Sequence, residues 1–356
     1  MSNRIPLTGS ILLHEKDEAG RFTSPRTFRI IKPLPKAGSA SVCYEAEHNN
    51  TSGSGVLKEF FPTTNYCPCH YLQRDADGHI TVRPDDANMR PVWAAEKEKY
   101  LAPYLSLRSR IRAEENSALA DFIPPFEIYY DLAGSDGNEG SVYVWTPERA
   151  LTTFAEICNE VRQAPKTDPE KKLVTVLRCV QTLTGCVLLL HDAGFLHRDL
   201  TPSNFGFSHR GSPESISLFD VNSLCSQYDV PKDETVGTPG FAEPSVPPDL
   251  MTDVYSIGAT LFYALVDTEE TRKNRYRYAP EMYDDLKSLV DRASLVNACE
   301  ANAHPKLRYM LTKILRGCLA PRSAGLRYTC CETLLRDMEE ALFYALPPEV
   351  ARRSRA

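Results

Sequence analysis

The 356-residue chain changes character near residue 150, and that change narrows the folds open to it. Before it, short runs rich in β-branched and aromatic residues recur at Phe28 to Leu34, Ser41 to Ala46, Gly55 to Phe60, Phe126 to Tyr130 and Val142 to Trp145. Clusters of Gly, Ser, Asn and Asp separate them, with a turn over 49–55 and a hairpin loop over 134–140. After it, apolar residues follow a 3.6-residue period. Leu173, Val176, Val180, Leu183, Val187 and Leu190 trace one helix that stops at Gly194. Asp253 to Val266 is apolar almost all round, which demands burial. Further helical patterns span 280–297, 305–318 and 330–345. Strands at one end and helices at the other predict an α+β fold in two segregated parts, not alternating βαβ units. The first part carries one helix, from about Pro91 to Arg112, with Trp93, Tyr100, Leu101 and Tyr104 at helical spacing and Pro103 inside it. Residues 61–90 read as irregular, with a turn signal at Asp75-Ala76-Asp77-Gly78.

The length allows two parts, each with its own core. At 42% apolar and 25% charged, the composition is that of an ordinary globular chain. A net charge of −6 argues against a nucleic-acid binder. Eleven cysteines, an odd number, are scattered; Cys179, Cys186 and Cys318 lie in apolar helical patterns. Free thiols in a reducing compartment fit this better than a disulfide framework. No run reaches the roughly 18 consecutive apolar residues of a membrane span, Ser256 to Val266 being the most apolar, and the N-terminus lacks the core of a signal peptide. The expectation is a cytoplasmic chain without a membrane segment. Cys67-Pro68-Cys69-His70 has no second ligand pair at finger-like spacing, and Cys330-Cys331 is expected in the core.

One stretch carries chemistry. His197-Arg198-Asp199-Leu200-Thr201-Pro202-Ser203-Asn204 meets every specified position of H-R-D-L-x-x-x-N, after a helix and Gly194. Asp220 follows 21 residues after Asp199, in Leu218-Phe219-Asp220-Val221-Asn222 at the end of a short β-forming run. Gly237-Thr238-Pro239-Gly240-Phe241, then Glu243-Pro244-Ser245, then Thr252-Asp253-Val254-Tyr255-Ser256-Ile257-Gly258 come next. Upstream, Lys58 lies on the third strand, after the small-residue loop Lys36-Ala37-Gly38-Ser39-Ala40-Ser41.

In this order and over roughly residues 28–345, the chain resembles the eukaryotic-like, bacterial-type serine/threonine protein kinase family. The resemblance implies a bilobal kinase-like fold: an extension over 1–27, a small β-rich N-lobe over 28–148 with an insert at 61–90, a larger helical C-lobe over 149–345, and a tail over 346–356. It implies ATP and Mg²⁺ as cofactors, with Mn²⁺ as an alternative metal, and protein substrates. Asp199 is implied as the base, with Arg198 and Thr201 beside it, and Asn204 and Asp220 as metal ligands. Gly38, Ser39, Ala40 and Ser41 would cover the phosphates. Lys58 would hold the α- and β-phosphates, with Glu96 (preferred for its place on the Trp93–Tyr100 stripe) or Glu98 as its carboxylate. Thr146 and Glu148 are placed among the cofactor-binding residues, and Asp253 braces the catalytic loop.

Departures from the family pattern matter. Val221-Asn222 stand where the family has Phe-Gly, with Asn222 expected to tolerate the turn. Glu243 either replaces the missing A-P-E glutamate, pairing with Arg327, or that pair is absent. Thr201 replaces a lysine usual in Ser/Thr-directed members, and losing such a donor costs roughly 10²–10³ in rate. Arg198 is expected to pair with a phosphorylated activation segment, Thr235 being the first candidate. Three functions follow: a protein kinase, a silent nucleotide-binding signalling module, or a small-molecule kinase, which Gly237-Thr238-Pro239-Gly240 disfavours.

Overall fold

The computed structural model describes residues 6–34, 40–49, 53–62, 70–113, 118–132, 140–147, 151–163, 167–208, 215–230, 237–244, 247–266, 277–299 and 305–346. The chain divides into two compact units, one of residues 1–106 and 124–150 and one of residues 107–123 and 151–356.

The first unit is built on an antiparallel sheet. Its strands are β1 (Ser10–Leu13), β2 (Arg26–Pro33), β3 (Ser41–His48), β4 (Ser54–Phe60), β7 (Glu127–Tyr130) and β8 (Val142–Pro147), in the order β1-β2-β3-β4-β8-β7. Register decides which residues share a face. Lys58 stands opposite Cys43 and Val144, while Glu59 stands opposite Val42 and Tyr143. Lys58 is half-buried and Glu59 fully buried, on opposite faces of the sheet.

Two expectations need correction here. Residues before 28 supply a sheet strand, since β1 pairs with β2. Residues 61–90 are not wholly irregular: β5 (Leu72–Arg74) and β6 (Ile80–Val82) form a hairpin around the 75–78 turn, and a 3₁₀ turn over Pro84–Met89 leads into the next helix. Strands of three residues are too short to show alternation. The turn itself is chemically determined: Asp75 Oδ1 accepts from the N–H of Asp77 and His79, and Gly78 takes a φ of +95°.

Helix α1 (Arg90–Arg112) runs through Pro103 and buries Trp93, Lys97, Tyr100, Leu101, Tyr104 and Leu107. Phe60 stacks on Trp93 and Tyr100, and strand alternation puts Phe60 on the Lys58 face.

The second unit contains α2 (Leu119–Phe122), α3 (Phe154–Gln163), α4 (Pro169–Asp192) and α5 (Leu250–Leu265), followed by helices Leu286–Arg292, Ser294–Ala298, Pro305–Leu319 and Cys331–Ala345. Short strands frame its functional loop: β9 (Thr152–Thr153), β10 (Phe195–Leu196), β11 (Phe205–Phe207), β12 (Ile216–Leu218) and β13 (Cys225–Ser226). By length and composition α4 is apolar enough to cross a bilayer, which counting uninterrupted apolar runs overlooked. It packs against α5 and Cys331–Ala345 and buries Leu173, Val176, Leu183 and Leu190. The nine described cysteines are free thiols, six of them buried. Cys331 is buried as expected, but Cys330 is half-exposed at the N-cap of the last helix, where the Thr333 backbone and hydroxyl hold its thiol below the usual range.

Candidate functional site

The loop His197–Asn204 is fixed from several sides. Asp253, in the first turns of α5, is fully buried. Its Oδ2 accepts from the His197 N–H at 2.8 Å and bonds His191 Nε2 at 2.9 Å, and its Oδ1 accepts from the Arg198 N–H at 2.8 Å. Burial alone would raise this carboxyl's pKa, but the hydrogen bond and charge of His191, then His197, hold it below the ordinary value. Burial likewise lowers His197, against the pull of Asp253. Further along, Thr260 Oγ1 donates to the Leu200 carbonyl, Ala155 N–H to the Pro202 carbonyl and Phe219 N–H to the Asn204 carbonyl. Buried backbone groups need such partners, and here those partners come from α5, α3 and the segment after β12.

Asp199 is half-buried and doubly held. Its Oδ1 accepts from the Thr238 N–H at 2.9 Å and the Thr238 hydroxyl at 2.8 Å. Its Oδ2 accepts from Asn204 Nδ2 at 3.1 Å, and the same amide nitrogen donates to the Asp199 carbonyl at 2.9 Å. With its nitrogen committed, Asn204 presents an amide oxygen that accepts no hydrogen bond among the described residues. Thr238 follows Gly237, whose φ is +118° and whose position leaves no room for a side chain: a Cβ there would lie 2.8 Å from the Arg198 carbonyl.

Asp220 follows β12 and is half-buried. It takes the left-handed conformation itself, with φ +79°. The tolerance expected of Asn222 is therefore needed two residues earlier, and 221–223 form a 3₁₀ turn instead. Arg198 is buried, also has positive φ, and donates from Nε to the Ser223 carbonyl. Its expected phosphorylated partner Thr235 lies outside the described residues. Thr201 is buried, with its N–H on the Asp199 carbonyl and its own carbonyl accepting from Asn204. Glu243 answers the question that the sequence left open. It bonds Arg327, Arg322 pairs with it at 2.9 Å, and Arg322 also pairs with Asp249, which caps α5.

In the sheet unit, Lys58 shares a face with Val56, and Val56 stands opposite Thr146. Of the two α1 carboxylates, Glu96 is half-buried on the Trp93–Tyr100 side and Glu98 is exposed. Ala40 and Ser41 are buried at the start of β3; Gly38, Ser39 and Glu148 lie outside the described residues. Sequence reasoning missed the group behind Lys58. Glu59 accepts from the hydroxyls of Tyr44 at 2.7 Å and Tyr143 at 2.6 Å, and from Arg74 Nη1 at 2.9 Å. Arg74 also donates to the Gly78 carbonyl, which ties the β5–β6 hairpin to the strand that carries Lys58. The Leu7 N–H donates to Tyr44 Oη, closing the cluster from the N-terminus. Lys97 was also missed: it is buried, donates to the Gly140 carbonyl at 2.8 Å and lies over the Trp93 ring. No group of three potential metal-binding His, Cys, Asp or Glu side chains occurs among the described residues.

Comparison with solved structures defines the class. The ROP18 kinase domain in complex with AMP-PNP and sucrose superposes with a TM-score of 0.53 at 15% identity, covering 97% of this chain and 87% of that one. The BubR1 kinase domain gives 0.52 at 16%, covering 96% and 85%. ROP2 from Toxoplasma gondii, described as having a protein-kinase fold and no enzymatic activity, gives 0.51 at 16%, covering 95% and 88%. The fold is that of a protein kinase.

Sequence relatives narrow the class further. The chain is 27% identical over 326 residues to the serine/threonine-protein kinase PknD of Protochlamydia amoebophila, covering 84% of this chain and 32% of the relative. It is 34% identical over 87 residues to PknK of Mycobacterium tuberculosis, covering 23% and 8%. AfsK of Streptomyces griseus is 24% identical over 196 residues, covering 50% and 23%. The chain thus spans about a third or less of the length of these relatives, and no protein-family model matches it. In sequence the chain resembles the bacterial-type serine/threonine protein kinases.

Proposed function

We propose that the chain transfers the γ-phosphate of ATP to serine or threonine hydroxyls of protein substrates. The observation that carries this reading is the restraint on Asp199, whose two oxygens are oriented by Thr238 and Asn204 on a loop braced by Asp253. A base must hold its geometry before its pKa matters. Oδ1 is filled by its two bonds from Thr238, and Oδ2, with one bond from Asn204, keeps a lone pair to accept the substrate hydroxyl's proton.

The donor set suits a hard divalent cation. Asp220 offers a carboxylate and Asn204 a carbonyl oxygen, the ligands that Mg²⁺ prefers. Bound there, the metal would neutralise phosphate charge during transfer. Lys58 would hold the α- and β-phosphates, Glu96 would orient Lys58, and Thr146 would line the nucleotide face of β8. Thr201 supplies no cation beside Asp199, so turnover is expected to be slow.

A second reading has its own support: Thr201 lacks the family's lysine charge, and ROP2 shares the fold without enzymatic activity. In that reading the chain binds nucleotide and signals by conformation. Incubation with labelled ATP and Mg²⁺ or Mn²⁺, with several protein acceptors and beside Asp199→Asn, separates the two. Label above that of the variant supports transfer; label equal to it with retained nucleotide binding favours the silent module.

A further inference from the structure

We propose that a groove beside helix Pro305–Leu319 docks an acidic protein segment that carries an apolar anchor residue. The proposal concerns a surface within the helical unit and stands whether or not the chain transfers phosphate.

The groove has a volume of about 660 Å³, within the range of roughly 300–1,000 Å³ typical of ligand sites. Its charged lining consists of Lys287, Arg308, Lys313 and Arg316 against one carboxylate, Asp291. Helix Pro305–Leu319 itself carries Lys306, Arg308, Lys313 and Arg316 and no acidic residue. Lys306 and Arg308 sit in its first turns, where the helix dipole disfavours cations. The dipole favours Arg316, in the last turn, but does not account for Lys306 and Arg308. A cationic rim on a chain of net charge −6 complements an acidic partner.

The cations differ in how they are held. Arg308 is tied to Asp291 and Asn297, and Lys287 pairs with Asp291 at 2.8 Å. Lys313 is neutralised from below by Asp337. Arg316 is exposed and has no side-chain hydrogen bond or ion pair among the described residues.

The groove is also apolar where it meets solvent. Tyr309 is 66% exposed and Leu326 is 64% exposed, two of the three most exposed large apolar side chains described, and both line it. Its floor is rigid. Gly317 leaves room for the Tyr328 ring, which a Cβ there would meet at 2.4 Å, and the Tyr328 hydroxyl is fixed by Asp337. A nucleic acid wants a continuous basic track for its phosphates; a concave site with an internal carboxylate and two exposed apolar residues fits a peptide better.

The test uses the full chain and fluorescence anisotropy. The probe is a labelled peptide of glutamates flanking one phenylalanine, beside a lysine-flanked version and a glutamate version with alanine at the centre. The glutamate–phenylalanine peptide is expected to bind, more weakly as salt rises. Its affinity should fall about tenfold with Arg316→Glu, and also with Leu326→Ser. Both positions are exposed, so both variants should keep the wild-type circular dichroism. Equal binding of all three peptides, or affinity unchanged in both variants, overturns the proposal. So does failure to bind the peptide while phosphatidylserine vesicles are retained and lose the chain on Arg316→Glu, which would assign the surface to a membrane.

Discussion

Each unit places a fully buried carboxylate behind one of its own candidate functional residues, and the two are solvated in opposite ways. Asp253, behind the loop of Asp199, is satisfied by two backbone N–H groups and one histidine. Glu59, next to Lys58, is satisfied by side chains alone: Arg74, Tyr44 and Tyr143. A buried charge is costly unless paired or hydrogen-bonded, and both meet that demand. The difference lies in what is fixed. Asp253 sets the path of a backbone that has no alternative acceptor. Glu59 sets the position of a hairpin relative to a strand, and shape could do the same work.

That contrast orders the expected effects. Asp253→Ala should have the largest. It orphans two backbone amides and a buried histidine at once, about 3–5 kcal/mol by the measure of broken buried pairs. Urea unfolding followed by far-UV circular dichroism would report it, because most of the helix lies in that unit. Arg74→Met comes next, at about 3 kcal/mol, since it leaves Glu59 buried without its cation. Tryptophan fluorescence would report this one, as both tryptophans, Trp93 and Trp145, belong to the sheet unit. Multiple variants sharpen the comparison. Glu59→Leu with Arg74→Met and Tyr143→Phe should recover most of the loss, because a buried ion pair and the hydroxyl bound to it are often replaceable together by apolar residues. Asp253→Leu with His191→Leu should recover little, because the His197 and Arg198 amides stay unpaired. Equal recovery would falsify the distinction between the two carboxylates.

Glu243→Gln should cost less, about 2 kcal/mol, since its three charge-assisted bonds are weakened and both arginines keep other acceptors. Arg322 retains Asp249, and Arg327 retains the Met251 carbonyl. A drop in the helical unit's urea midpoint without loss of nucleotide binding would bear this out.

The same contrast explains what was legible in the sequence. Asp253, His197 and Arg198 lie in local motifs with fixed spacing, so the brace was readable, although the part of His191 on α4 was not. Runs of β-forming residues between turn signals made strands β2, β3, β4, β7 and β8 readable to within a few residues. Glu59 could not be read, because Tyr44, Arg74 and Tyr143 are 15 to 84 residues away from it. Next to Lys58 it reads as one more solvated strand charge. Arg74 sits on a three-residue strand with no periodicity of its own. Lys97 broke a local rule, a cation on the buried stripe of α1, and only its bond to the Gly140 carbonyl explains it. Glu243 was legible as a choice between two states, and a spatial pairing across 84 positions resolved that choice.

The smallest effect is the response to acid, where the units should differ in size. His197 has a lowered pKa in the folded chain, first because of burial. Below its ordinary value of 6.5 the unfolded chain takes up a proton that the folded chain resists. Stability of the helical unit is therefore lost as pH falls through 6.5. Asp253, also lowered, adds its loss only below 3.8, as pH falls through its folded value. In the sheet unit, burial raises Asp131 above 3.8 despite its bond to His79. As pH falls toward that raised value, the folded chain takes up the proton first and gains stability relative to neutral pH. Urea midpoints at pH 7 and pH 5.5, read by circular dichroism for the helical unit and tryptophan fluorescence for the sheet unit, should diverge. The first midpoint falls; the second falls less, because the gain at Asp131 offsets a loss at His48, whose pKa burial also holds below 6.5. A larger fall in the fluorescence midpoint would mean that the acid-sensitive group lies in the sheet unit and that His197 is not the residue that senses pH.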